Sequence, residues 1–240
     1  KQINLLRDSN GNCTVAGIIV EPINISNLIK CDEEFLQELR LICDKEDIVL
    51  IFDEVYSGWC KTGNLFYFMN FKNLIPDILC MAKSLGGGKA SISGIVTRDK
   101  IFQKSYEKPL SANLQTTTFY GFGEETITAI ESINILIDEN FSEKAFIIED
   151  QLIKNFEKLK TKYPNIIKDY RGSGAVYGLF IKEQSKIYDK IINLIPSEIF
   201  KDKRFLSKLV LASIISELYS KHNILSFTSL GIDLHLIISP

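Results

Sequence analysis

The chain has 240 residues, enough to bury a substantial core as one large domain or one and a half ordinary ones. Its formal net charge of -2 offers no basic field to nucleic acid or an anionic membrane surface. No apolar run approaches the roughly 20 residues of a membrane helix, and a 45% hydrophobic, 24% charged composition is that of a globular protein.

The opening Lys1-Gln2-Ile3-Asn4 has no initiating Met and no signal-peptide pattern, so an internal fragment of a longer protein is expected. Five widely spaced cysteines (Cys13, Cys31, Cys43, Cys60, Cys80) form no CxxC pair. The two histidines, His222 and His235, lie far from them. That pattern argues against a metal site or a disulfide scaffold and for reduced thiols in the cytoplasm.

In chain order, residues 15–20 form a short apolar run stopped at Glu21-Pro22, where proline removes a backbone donor. Phe35, Leu36, Leu39, Ile42 and Cys43 recur at helical spacing, with Asp32 positioned as the N-cap. Residues 48–52, 77–82 and 91–96 are three more apolar runs of strand length. Unbroken apolar strands with helix-length connections predict a sheet covered on both faces, in an α/β layout.

The pattern then turns helical over about 124–137 and breaks at Asp138-Glu139-Asn140. A second helix starts near residue 145, with Ile148, Leu152, Phe156 and Leu159 on one face, and ends at Tyr163-Pro164. Arg171-Gly172-Ser173-Gly174 follows, then strands at 175–181 and 234–238 with a helix over roughly 207–220 between them. The break near residue 140 divides the chain into a first domain over 1–140 and a second over 141–240.

Three chemical groups end predicted strands: Glu21 the first, Asp53-Glu54 the second and Lys83 the third. Ligands of open α/β sheets bind at that edge. A lysine forms a Schiff base with an aldehyde only when its amine is neutral, which takes burial or a neighbouring positive charge. An aspartate against a pyridine ring keeps the ring nitrogen protonated and makes the ring an electron sink. A lysine and an aspartate used in this way are how proteins support pyridoxal phosphate.

The motif string carries this further. Val20-Glu21-Pro22 is followed by Ile51-Phe52-Asp53-Glu54-Val55, Gly58, Lys61-Thr62-Gly63, Pro76-Asp77-Ile78 and Ala82-Lys83-Ser84-Leu85-Gly86-Gly87-Gly88. In order and spacing this resembles the class III aminotransferases, over residues 15–182. The resemblance implies the fold type I, aspartate-aminotransferase-like α/β architecture and a homodimer. Residues 1–140 would be part of the large cofactor domain and residues 141–240 part of the small C-terminal domain. It implies pyridoxal 5'-phosphate (PLP) as cofactor, Lys83 as its Schiff-base lysine and Asp53 as the partner of its pyridine nitrogen. Val55 would pack on the ring, and Tyr56 stands where the family often has a glutamine that reaches the ring hydroxyl. Thr118, in Thr118-Phe119, would hold the cofactor phosphate of the other subunit. Glu21 matches a glutamate associated with substrate-carboxylate binding. Arg171-Gly172 matches a structural element of the small domain.

The departures are specific. Ile23-Asn24-Ile25-Ser26-Asn27 replaces the Gln-Gly stretch that usually follows Glu-Pro, and residues 232–240 lack the arginine often found on the last strand. Gly121-Phe122-Gly123-Glu124-Glu125 replaces the usual Gly-Asn-Pro helix start. A segment supplying a phosphate-binding glycine-serine loop and a ring-stacking aromatic is expected upstream of residue 1.

Asp53-Glu54 and Gly86-Gly87-Gly88-Lys89 superficially resemble parts of a P-loop ATPase, but Ala90 stands where Ser or Thr should follow the lysine, and the glycines come after the acidic strand. Trp59 reads as packing, His235 as structural, His222 as a partner of a helix dipole and Lys158, Lys160 and Lys162 as a solvated face. The expectation is a transaminase that moves an amino group between an amine or amino acid and a keto acid, with no nucleic-acid or membrane partner. The alternatives are an inactive, truncated PLP-fold module with a structural or oligomerisation role, and a PLP enzyme of racemase, aminomutase or decarboxylase type.

Overall fold

The structure is a computed structural model and describes residues 3–113, 118, 121–182, 205–229 and 233–240. The chain divides into two compact units. One comprises Lys1–Ile23 and Lys30–Ser142, the other Asn24–Ile29 and Glu143–Pro240.

The first unit is built on a sheet of β1 (Gly17–Val20), β4 (Val49–Asp53), β5 (Ile78–Met81) and β6 (Gly94–Thr97), in that order. A short excursion after β1 carries the two-residue strands β2 (Ile23–Asn24) and β3 (Ile29–Lys30). Helix α1 (Glu33–Glu46) then connects β1 to β4 as a crossover, so those two strands run parallel. Its apolar face buries Leu36, Leu39 and Cys43 against Ile48, Leu50 and Phe52. Asp32 occupies the N-cap position with an extended backbone but makes no side-chain cap bond. Glu33 and Glu34 in the first turn and Lys45 in the last suit the helix dipole instead.

Strand β5 is parallel to β4, and β6 is antiparallel to β5. Residues 82–93 are a shorter connection than residues 54–77, which join the parallel β4 and β5, and leave less chain for a parallel crossover. The sheet is therefore mixed but parallel-dominated. After it come α2 (Asp99–Tyr106) and α3 (Gly123–Asp138).

The expectation of two covered faces is corrected. Along β4, Leu50 and Phe52 are fully buried against α1, whereas Val49, Ile51 and Asp53 on the opposite face are half-exposed. Ile19 and Ile95, which pair with Ile51 and Cys80 on that opposite face, are 62% and 52% exposed. An unbroken apolar run shows that both faces carry apolar side chains. It does not show that both are covered within the chain.

At the N-terminal edge of the sheet, Asp77 is 5% exposed and ties four elements together. Its carboxylate accepts from the Leu50 amide at 2.9 Å, Arg40 Nη1 at 2.8 Å and Arg98 Nε at 3.0 Å. Burial pushes its pKa up. The Leu50 N–H and the two arginines outweigh that and hold it below the usual aspartate range.

The second unit contains α4 (Phe141–Lys162, from Glu143), β7 (Ile167–Ser173), β8 (Val176–Ile181), α5 (Phe205–His222), β9 (Phe227–Thr228) and β10 (His235–Ile238). Its sheet is antiparallel, in the order β7-β8-β10-β9. Phe156 of α4 stacks on Tyr170, with Tyr177 beside both. Ile181, Leu211 and Leu236 form a second cluster. His235 is fully buried. Its Nδ1 lies 2.8 Å from the Asp233 carbonyl and its ring 4.5 Å from that of Phe180, and burial lowers its pKa.

Gly172, inside β7, has no room for a side chain: a Cβ there would collide with the Val176 carbonyl. Its neighbour Arg171 packs its guanidinium 4.5 Å over the Phe180 ring, between Asp169 and Asp233.

Among the described residues no helix is long and apolar enough to cross a membrane, and no cluster of His, Cys, Asp and Glu is placed to hold a metal ion. The five cysteines carry free thiols.

Candidate active site

Because β1, β4 and β5 are parallel, their C-terminal ends lie on one edge of the sheet. Val20 pairs with Phe52, so Glu21 follows β1 beside Asp53, the last residue of β4. Asp53 pairs with Cys80, and Lys83 lies just beyond the end of β5. Neighbouring strands are about 4.8 Å apart, so the two carboxylates and the lysine fall within roughly two strand spacings across the sheet.

Asp53 is half-buried. Its Oδ1 accepts the Val55 N–H at 3.0 Å, and its second oxygen makes no hydrogen bond to another described residue. Cys80, opposite it on β5, shares its face of the sheet. Burial, and then the charge of Asp53, push the Cys80 thiol pKa up.

Lys83 opens a 3-10 turn, Lys83–Gly86, after an extended Ala82 (φ -162°, ψ -149°). Its own φ is +50°, a left-handed conformation that costs a non-glycine residue on the order of 1–2 kcal/mol. The glycines that follow make the turn possible. Gly87 and Gly88 have φ of +59° and +72°, and a Cβ on Gly87 would press on Ser132 Oγ of α3 at 3.1 Å. Ser132 Oγ also donates to the Ser84 carbonyl at 3.3 Å, which fastens the turn to α3.

The Lys83 side chain is exposed, and its ammonium lies 4.7 Å from the centre of the Tyr56 ring. No carboxylate pairs with it among the described residues. The Tyr56 ring is half-buried, which raises its phenol pKa and keeps the hydroxyl protonated, as a donor, at neutral pH.

Val55 is half-buried between Asp53 and Tyr56. Glu21 is half-buried, and its backbone carbonyl accepts from the Cys31 thiol at 3.6 Å. Thr118 is exposed in a turn, and no described contact joins it to Asp53, Tyr56 or Lys83. Phe119, its motif neighbour, lies outside the described residues. The structure thus brings Asp53, Val55, Tyr56 and Lys83 to one edge with Glu21 alongside, and gives Thr118 no place in that group.

One residue of this region has no role of its own in the sequence reading. Glu54 is the second half of the Asp-Glu pair, and its carboxylate is fully buried. The only sequence signal is a carboxylate directly after an apolar strand. Its partners, the amides of residues 67 and 68, are not detectable by spacing.

A family model for class III aminotransferases matches residues 1–205. The chain belongs to the class III aminotransferase family. The fold agrees with that of solved members. An aminotransferase from Bacillus anthracis superposes with a TM-score of 0.78 at 21% identity, covering 95% of this chain and 48% of the other. An ornithine aminotransferase from Plasmodium yoelii gives 0.71 at 25% identity, covering 97% and 52%. The ornithine aminotransferase from Toxoplasma gondii, crystallised with oxidized glutathione and with partial occupancy of PLP at its active site, gives 0.69 at 23%, covering 92% and 45%. The chain therefore has the fold type I architecture and spans about half the length of the solved structures it matches.

Class III aminotransferases are PLP-dependent. The donor set at the sheet edge suits that cofactor: a primary amine without a carboxylate partner among the described residues, a carboxylate oxygen not yet engaged, and a protonated phenol beside the amine.

Proposed function

We propose that this chain carries the cofactor lysine of a transaminase, which moves an amino group between an amine or amino acid and a keto acid. The observation that supports this most is the placement of Lys83 and Asp53 at the C-terminal ends of adjacent parallel strands. When bound, PLP supplies an aldehyde that exchanges amines and a ring that takes up electrons from the substrate α-carbon.

In this reading Lys83 Nζ is the amine that would hold the cofactor through its aldehyde. Freed by the incoming substrate amine, Lys83 Nζ would be the base that takes the α-proton and carries it to the second carbon of the C–N–C unit. Asp53 would keep a proton on the ring nitrogen through its second oxygen. Val55 would lie against the ring face, and the Tyr56 hydroxyl would donate to the ring hydroxyl. Glu21 borders the substrate side. Thr118 serves the phosphate of the neighbouring subunit in a homodimer. Residues 1–140 act as part of the cofactor domain, residues 141–240 as part of the small domain, and the protein works in the cytoplasm.

The test is a half-reaction. PLP-loaded protein is mixed with a panel of amino donors, and its visible absorbance band is followed. The reading expects at least one donor to bleach the band and release a stoichiometric keto product. A loaded protein that racemises or decarboxylates donors without accumulating the amine form of the cofactor sinks it, as does a full-length protein, with the upstream segment, that takes up no PLP.

A further inference from the structure

The loop between β4 and β5 carries Val55 and Tyr56, and it returns to the sheet through one buried charge. Glu54 Oε2 accepts from Ser57 Oγ at 3.0 Å and the Tyr67 amide at 2.6 Å, and Oε1 accepts the Phe68 amide at 2.8 Å. The carboxylate is 0% exposed and lies on the core side of the strand, where Phe52 packs against Phe68 and Phe68 against Phe66. Burying a carboxylate among phenylalanines is costly unless its lone pairs are all engaged. Here three donors engage them. Burial raises the Glu54 pKa, and the three donors oppose that rise.

The backbone reinforces the arrangement. The Glu54 amide donates to the Cys80 carbonyl of β5 at 3.1 Å, and the Glu54 carbonyl accepts from the Gly58 amide at 3.1 Å. Gly58 has no room for a side chain, since a Cβ there would meet both the Glu54 carbonyl and the Phe66 ring at 2.9 Å. Thr62 Oγ1 closes the turn by donating to the Ser57 carbonyl at 2.9 Å. Glu54 thus fixes residues 53–58 at both ends: to β5 on one side and to residues 67–68 on the other. Tyr56, whose ring carries the Lys83 ammonium, lies between those two anchors.

We propose that Glu54 is a positioning residue of this site, its buried carboxylate holding the 54–68 loop so that the Tyr56 ring stays against Lys83 and Asp53 stays at the strand edge. The proposal rests on Lys83 being the cofactor lysine. Glu54 touches neither Lys83 nor cofactor; it acts through Tyr56 and Asp53. A glutamine at this position keeps one acceptor but turns an NH2 toward an N–H donor, so at least one of the three bonds is lost.

The test compares Glu54→Gln with Tyr56→Ala and with Asp77→Asn, which loosens the same sheet at its opposite edge. Cofactor-free protein is treated with an amine-reactive reagent, and labelling at Lys83 is measured by peptide mapping relative to exposed Lys100. PLP affinity is measured from the visible band. Glu54→Gln should raise the Lys83-to-Lys100 ratio several-fold, as Tyr56→Ala does, and weaken PLP binding about tenfold, the size of one charged hydrogen bond. Asp77→Asn should change neither, although it lowers thermal stability. The proposal is overturned if folded Glu54→Gln keeps the wild-type ratio and affinity, or if Asp77→Asn shifts them equally. Should Glu54→Gln not fold, Ser57→Ala removes one of the three bonds and must give a smaller shift in the same direction; no shift overturns the proposal. A visible band that survives Lys83→Ala overturns instead the underlying lysine assignment.

Discussion

Replacing Asp77 with asparagine should cost the first unit about 3 kcal/mol. Removing one partner of a buried, hydrogen-bonded ion pair costs roughly 3–5 kcal/mol, because the remaining charge is left buried and uncompensated. Two features place the loss at the low end. Arg40 keeps a second carboxylate, Asp44, at 2.8 Å, and Arg98 is exposed enough to recover water. Asparagine can still accept the Leu50 amide, but its NH2 then faces a guanidinium. For a unit of this size, 3 kcal/mol corresponds to a fall in Tm of about 10 °C.

The pH dependence carries a sign. The folded Asp77 pKa lies below its ordinary value, so its contribution is fully present above the unfolded pKa of roughly 3.9 and is lost as pH falls through the folded value. Urea titrations of wild type and Asp77→Asn at pH 7 and near pH 3 measure this. The gap in unfolding free energy should be near 3 kcal/mol at pH 7 and smaller at the acid end. A gap under about 0.5 kcal/mol at pH 7, the size of an ordinary surface change, would refute the reasoning, as would one that widens on acidification.

Three further outcomes follow from named contacts. Gly172→Ala must push the new Cβ out of the Val176 carbonyl, a backbone atom that cannot rotate away. It should destabilise the second unit by about 3 kcal/mol or more, read as an early unfolding transition by circular dichroism. Phe52→Ala empties a fully buried site between β4 and α1 and should cost about 3–5 kcal/mol in chemical denaturation. Asp53→Asn, at the half-buried end of β4, should leave the melting curve nearly unchanged but weaken PLP binding about 100-fold, measured by equilibrium dialysis. A melting loss as large as that of Phe52→Ala would mean that Asp53 serves the fold instead.

Much of the first unit was legible because its strands are short unbroken apolar runs ended by charged residues. Residues 48–52, 77–82 and 91–96 each contain most of an observed strand. The helices at 123–138, 141–162 and 205–222 lie within a few residues of their predicted ends. Strand β7 was hidden because Lys168, Asp169 and Arg171 interrupt its apolar residues. It exists through its pairing with β8, which no local pattern reveals. The antiparallel turn of β6 depends on the length and content of the 82–93 connection, not on the strand's composition.

The candidate site divides in the same way. Asp53 and Lys83 stand out because each follows an apolar strand. Glu54 did not, since its significance lies in two amides 13 and 14 residues away. The contact between Lys83 and Tyr56 was equally invisible: it depends on a left-handed lysine at the start of a glycine-rich turn.

The role of Lys83 is tested most directly by where the cofactor attaches. Protein loaded with PLP is reduced with borohydride, digested and mapped by mass spectrometry, with Lys83→Ala treated in parallel. A single pyridoxyl adduct is expected on Lys83 and none in the variant. An adduct on another lysine that persists in Lys83→Ala, or a loaded wild type that yields none, would contradict it.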